Sequence, residues 1–196
     1  MKKIIILFII ILSILIIYTT NIDNKIYYVN IDSTNELTYN KEIYNKIKSK
    51  NKLEKYINEF SKKDYRTTDL IRDIKDNKKI NNQTIQNALI KADIITLYIG
   101  INDINYKINT DINELYNYTD QVLDDIENLF KLIRVYSKEK IYVIGYKNNI
   151  GISYNEYFKY TNKRLKSICD EYKITFIDIN SNQNVNNIIS NKLLIY

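Results

Sequence analysis

Five short runs of β-branched and aromatic residues recur along this chain, and segments with helical periodicity separate them. The runs are Ile26 to Ile31 (IYYVNI), Leu53 to Phe60, Asp93 to Ile99 (DIITLYI), Lys140 to Gly145 (KIYVIG) and Ile174 to Ile179 (ITFIDI). Asp93 to Ile99 is the most continuously apolar and reads as a fully buried strand, whereas Leu53 to Phe60 alternates as an edge strand does. Between the runs, Glu42 to Lys50, Thr68 to Asp76, Thr84 to Lys91, Asp111 to Lys138 and Tyr154 to Tyr172 read as helices. Strands that alternate with helices predict an α/β fold, a five-stranded parallel sheet covered on both faces as a three-layer α/β/α sandwich. Cys169 shares an apolar stripe with Leu165, Ile168 and Tyr172, which places it in the core.

The 196 residues suffice for one domain with a sizeable core. Lys2 and Lys3 precede an apolar run from Ile4 to Tyr18 that only Ser13 interrupts. Fifteen helical residues reach roughly 22 Å, which suits a signal-peptide core or a short anchor. No A-x-A-like pattern follows, so the expectation is an uncleaved membrane-spanning helix, with a secreted product as the alternative. The flanking lysines hold the N-terminus in the cytoplasm and put the remainder outside. The resulting division is 1–20 for the signal anchor or signal peptide, 21–25 for a linker and 26–196 for the α/β domain.

Composition removes several kinds of chemistry. The chain has no histidine, no proline, no tryptophan and a single cysteine. Without imidazole or a second thiolate, the expectation is no metal site and no cofactor. The formal net charge is +6, but only Arg66, Arg72, Arg134 and Arg164 are arginines and they are scattered, so no nucleic-acid partner is expected. Glycine is limited to Gly100, Gly145 and Gly151, too few and too dispersed for a phosphate-cradling loop.

In a parallel sheet, sites form beyond the carboxyl ends of the strands. Two loops there carry chemistry: Asp32-Ser33-Thr34 after the first strand, and Gly100-Ile101-Asn102-Asp103 after the central one. In this order, YVNIDST (Tyr28 to Thr34) and ALIKADIITLYIGINDI (Ala88 to Ile104) resemble the Gly-Asp-Ser and Gly-x-Asn-Asp blocks of the SGNH or GDSL hydrolases. FSKKDYRTTDLI (Phe60 to Ile71) is similar to the block between them. The resemblance runs from about Ile26 to Ile179 and implies a flavodoxin-like three-layer fold and ester hydrolysis by a serine nucleophile.

Carried across, the resemblance puts Ser33 at the nucleophile position. It makes the Ser33 amide, the Asn102 side-chain amide and the backbone amide of Asp64 the oxyanion donors, with Asp32, Gly100 and Asp103 in support. A developing oxyanion needs such fixed donors about 3 Å away. The departures are specific: Ile31 and Asp64 stand where the family has glycine, and the closing Asp-x-x-His block is absent, the chain running from Asp178 through INSNQNVNNIISNKLLIY. A serine with no base to take its proton loses several orders of magnitude in rate. Lys192 and Asp103 are the substitutes to consider; Lys192 reads as a solvated tail residue and Asp103 as a loop brace. Three readings follow: a membrane-anchored hydrolase acting weakly on acyl or acetyl esters, a pseudoenzyme that binds glycan or lipid acyl groups, and a truncated, decaying gene product.

Overall fold

A computed structural model describes residues 9–11, 25–34, 38–50 and 52–179. Five parallel strands form the main sheet: β1 (Ile26–Asp32), β2 (Leu53–Ile57), β5 (Ile94–Tyr98), β6 (Lys140–Ile144) and β7 (Thr175–Ile177), in the order β2-β1-β5-β6-β7. A two-stranded antiparallel ribbon, β3 (Lys79–Ile80) with β4 (Gln83–Thr84), lies apart from it. The helices are α1 (Thr38–Ser49), α2 (Thr67–Lys75), α3 (Ile85–Lys91), α4 (Ile101–Lys107), α5 (Ile112–Tyr136) and α6 (Asn155–Glu171).

All seven residues of β1 and all five of β5 are buried. Neighbouring strand residues face opposite sides, so this pattern requires cover on both faces and gives the three layers. β2 lies at the sheet edge, as its sequence predicts, but its burial does not alternate: the adjacent Glu54 and Lys55 are both exposed. The apolar stripe of α5 is buried, with Leu115, Val122, Ile126, Leu129 and Ile133 each under 5% exposed, and it packs against α2, α4 and α6. Cys169 is fully buried in the same core.

The structure departs from the sequence reading in four further places. Gly100 to Asp103, read as a loop, lead into α4, so that Asn102 and Asp103 sit in the first turn of a helix. The β3–β4 ribbon was not foreseen, since two-residue strands have no period to read. α1 starts at Thr38 rather than Glu42, and the last strand stops at Ile177 rather than Ile179. Among the described residues no helix is long and apolar enough to cross a membrane. The membrane-spanning helix read into residues 1–20 and the linker at 21–24 fall outside the described residues, apart from the helical 9–11, as do the tail from residue 180 and Lys192.

The chain leaves β1 toward β2 and then returns to the opposite side of β1 to form β5. The carboxyl ends of β1 and β5 therefore flank the point where the strand order reverses, where open parallel sheets place their sites. Gly100 turns the chain out of β5 there, at φ 95°, in the left-handed region. A Cβ on it would collide with the Tyr146 hydroxyl and lie 2.7 Å from Ile126 Cδ1. That hydroxyl cannot give way freely, because it donates to the Ile99 carbonyl at 2.7 Å. Gly100→Ala combines left-handed strain with overpacking and should destabilise the fold by about 2–4 kcal/mol; urea denaturation measures it, and an unchanged midpoint contradicts the close approach.

Candidate active site

Ser33 is the first residue beyond β1, and its N–H extends the β1–β5 ladder by one rung, donating to the Tyr98 carbonyl at 2.9 Å. The residue is fully buried, and its Oγ has no hydrogen-bond partner. An unsatisfied buried hydroxyl costs about 1–3 kcal/mol. Before it, Ile31 is an ordinary strand residue, fully buried and in register with Leu97. Asp32 fixes the turn that presents the serine: its Oδ1 accepts from Thr34 N at 2.8 Å and from Thr34 Oγ1 at 2.9 Å.

Asn102 lies opposite. Its Nδ2 donates to the Ser33 carbonyl at 2.8 Å and to the Tyr65 carbonyl at 3.1 Å. One amide nitrogen thus joins the loop after β1 to the loop before α2. Asp103 adds a second link, its Oδ2 accepting from both Thr67 N and Thr67 Oγ1 at 3.0 Å. Burial pushes the Asp103 carboxyl up, against the Thr67 hydrogen bonds and the Arg66 charge that pull it down. Asp103 is therefore a brace.

The third segment is residues 61–67. Asp64 adopts φ 59°, a left-handed angle that residues other than glycine seldom take, and it is exposed. No described residue takes its amide hydrogen. The segment is tied on both sides. Lys62 N donates to the Asp32 carbonyl at 3.0 Å, and Ser61 Oγ accepts from Asp32 N at 3.0 Å. The Tyr65 hydroxyl and the Lys62 ammonium reach the buried Asp73 carboxylate on α2 at 2.6 and 2.5 Å, and Lys78 reaches it at 3.1 Å.

Ser33, Asn102 and Asp64 thus come together, with Asp32, Gly100 and Asp103 holding their segments. Two of the three expected oxyanion donors are already engaged, however: the Ser33 amide by Tyr98 O and both hydrogens of Asn102 Nδ2 by carbonyls. Only the Asp64 amide stands open. Asp178 lies exposed just past β7. Tyr98, Tyr65, Thr67, Ser61 and Asp73 were not singled out from sequence; of these only Tyr65 carried a signal, by adjoining Asp64. Among the described residues no cluster of His, Cys, Asp or Glu is placed to hold a metal ion.

No protein-family model matches the chain, and no curated protein does. Solved structures do. Axe2, an acetylxylan esterase from Geobacillus stearothermophilus, is 15% identical, with a TM-score of 0.57 over 77% of this chain and 74% of its own. A variant of Axe2 described as an acetyl-xylooligosaccharide esterase aligns over 85% of this chain and 91% of its own, at 14% identity and a TM-score of 0.59. The acetyl xylan esterase AlAXEase gives 13%, 0.58, 85% and 84%. These likenesses establish the fold, the one toward which the sequence blocks point. The catalytic mutants of Axe2 alter a serine, an aspartate and a histidine.

The Asp73 clamp gives a test. Burial alone would raise its carboxyl, but Lys62, Tyr65 and Lys78 hold it below the ordinary 3.8. A depressed carboxyl stabilises the fold above pH 3.8, and that contribution is lost as pH falls through the lower folded value. Asp73→Asn should cost about 1–3 kcal/mol at pH 7 and flatten the decline in stability below about pH 4 relative to wild type. Urea titrations at several pH values report both; parallel pH curves for the two proteins refute the clamp.

Proposed function

We propose that this chain is a membrane-tethered, extracytoplasmic domain of the SGNH-hydrolase type, with Ser33 at the nucleophile position and triad catalysis weak or lost. The observation that carries the reading is the buried, unpartnered Ser33 Oγ beside Asn102 at the switch point of the sheet. The likeness to acetylxylan esterases supports an acyl or acetyl ester, on a small molecule or glycan, as the group received. The tether is the apolar run Ile4 to Tyr18.

Attack by Ser33 Oγ on an ester carbonyl needs an acceptor for its proton and donors for the oxyanion. The chain has no imidazole to accept, and the Lys62 ammonium already rests on Asp73. Charge on the oxyanion would find the Asp64 amide unengaged by any described residue. It would meet the Ser33 and Asn102 donors only after they leave Tyr98 O, Ser33 O and Tyr65 O, each exchange opposed by about 0.5–1.5 kcal/mol. The same engagement favours a second reading, a non-catalytic module that holds a glycan or a lipid acyl group without cleaving it.

A fluorophosphonate probe and p-nitrophenyl acetate, applied to wild type and Ser33→Ala, separate these outcomes. Wild-type turnover should match Ser33→Ala, in keeping with a loss of about 10⁴-fold or more when a triad loses its base. Ser33-dependent labelling with turnover would establish an unconventional base and overturn the loss of activity.

A further inference from the structure

Arg66 and Tyr106 meet at the rim of this site. Tyr106 lies four residues after Asn102 on α4, one helical turn further along the same face, and it is 65% exposed. Arg66 sits between Tyr65, whose carbonyl takes the Asn102 amide, and Thr67, which is bound to Asp103. Its guanidinium lies over the Tyr106 ring, 4.2 Å from the centroid.

This guanidinium differs from the chain's other three, of which Arg164 pairs with Asp120 at 3.8 Å. Arg72 is paired with Asp69, and Arg134 donates to the carbonyls of Tyr172, Ser137, Glu139 and Lys173. Among the described residues Arg66 has no ion pair and no hydrogen bond from its side chain; its backbone N–H donates to Asp69 at 3.3 Å. Asp103, whose carboxylate interacts electrostatically with it, is buried and occupied by Thr67. This cation–π contact restrains the guanidinium and takes up none of its N–H groups. A planar fork in this state matches two oxygens of a carboxylate or phosphate, which a lysine ammonium does not.

We propose that Arg66, held by Tyr106, is an anion subsite that receives a carboxylate or phosphate on the molecule whose ester enters the Ser33 site. The proposal rests on the Ser33 reading for its location and on Arg66 and Tyr106 for its chemistry. An acidic sugar and a phosphorylated one share the recognised group.

Titration of the full chain with sodium glucuronate, inorganic phosphate and glucose, followed through the Arg66 Nε–H NMR signal, tests it. Glucuronate or phosphate should shift the signal saturably, glucose should not, and the stronger of the two anions identifies the source. Arg66→Lys keeps the charge and removes the fork, so affinity measured by calorimetry should fall about tenfold, and Tyr106→Leu should weaken it by about threefold. No shift with either anion, an equal response to glucose, or undiminished affinity in Arg66→Lys overturns the subsite. The readout is binding, so a failure here is distinct from a failure of the Ser33 reading in the probe assay.

Discussion

The pairing of β1 with β5 governs the rest of the molecule. Tyr28 to Asp32 run in register with Ile94 to Tyr98, and the ladder carries on past the strand through the Ser33 amide. The pair is buried on both faces, so its position is fixed by apolar packing and by a polar line through the sheet. Tyr28 OH meets Thr96 Oγ1 at 2.8 Å, Thr96 donates to Asn30 Oδ1 at 2.7 Å, and Asn30 Nδ2 donates to Ser61 Oγ at 3.2 Å. Ser61 also binds Asp32, so this line ends at the turn that presents the serine. Buried polar groups satisfied in this way favour one register over a one-residue slip, which would reverse every side chain.

That rigidity decides what the site can do. An esterase needs hydrogen-bond donors that await the transition state, and their value lies in being fixed and unengaged. In this chain the Ser33 amide and the Asn102 side-chain amide are fixed but bonded to the protein's own carbonyls. Asn102 links two loops, Asp103 links α4 to Thr67 at the start of α2, and Asp73 anchors the loop before α2. The fold is the one that the acetylxylan esterases Axe2 and AlAXEase share, and the chain holds no histidine.

Much of this was legible in the sequence, for identifiable reasons. β1, β5 and α5 bury long, regular patterns, so periodicity located them to within about two residues. Ser33, Asn102 and Asp64 were singled out by the resemblance of their blocks to family motifs, and the structure brings the three segments together through Asn102. What sequence could not supply was engagement. Nothing in GINDI says that both Asn102 hydrogens point at carbonyls, and nothing in KKDYR says that Lys62 and Tyr65 share a carboxylate eight or more residues away. α4 escaped notice because seven residues make barely two turns, and Asp64 was a doubtful glycine substitute until its backbone angle was seen.

The register Tyr28 with Ile94 also sets an order of events during biosynthesis. β1 leaves the ribosome first, yet its central partner follows 66 residues later, and every main-sheet contact spans a crossover rather than a hairpin. Until β5 arrives, β1 has β2 as its one strand neighbour, so the nascent chain passes through an interval in which the other edge of a fully buried strand is unpaired. Folding of this domain is thereby tied to the pace of translation and to whatever guards that edge meanwhile.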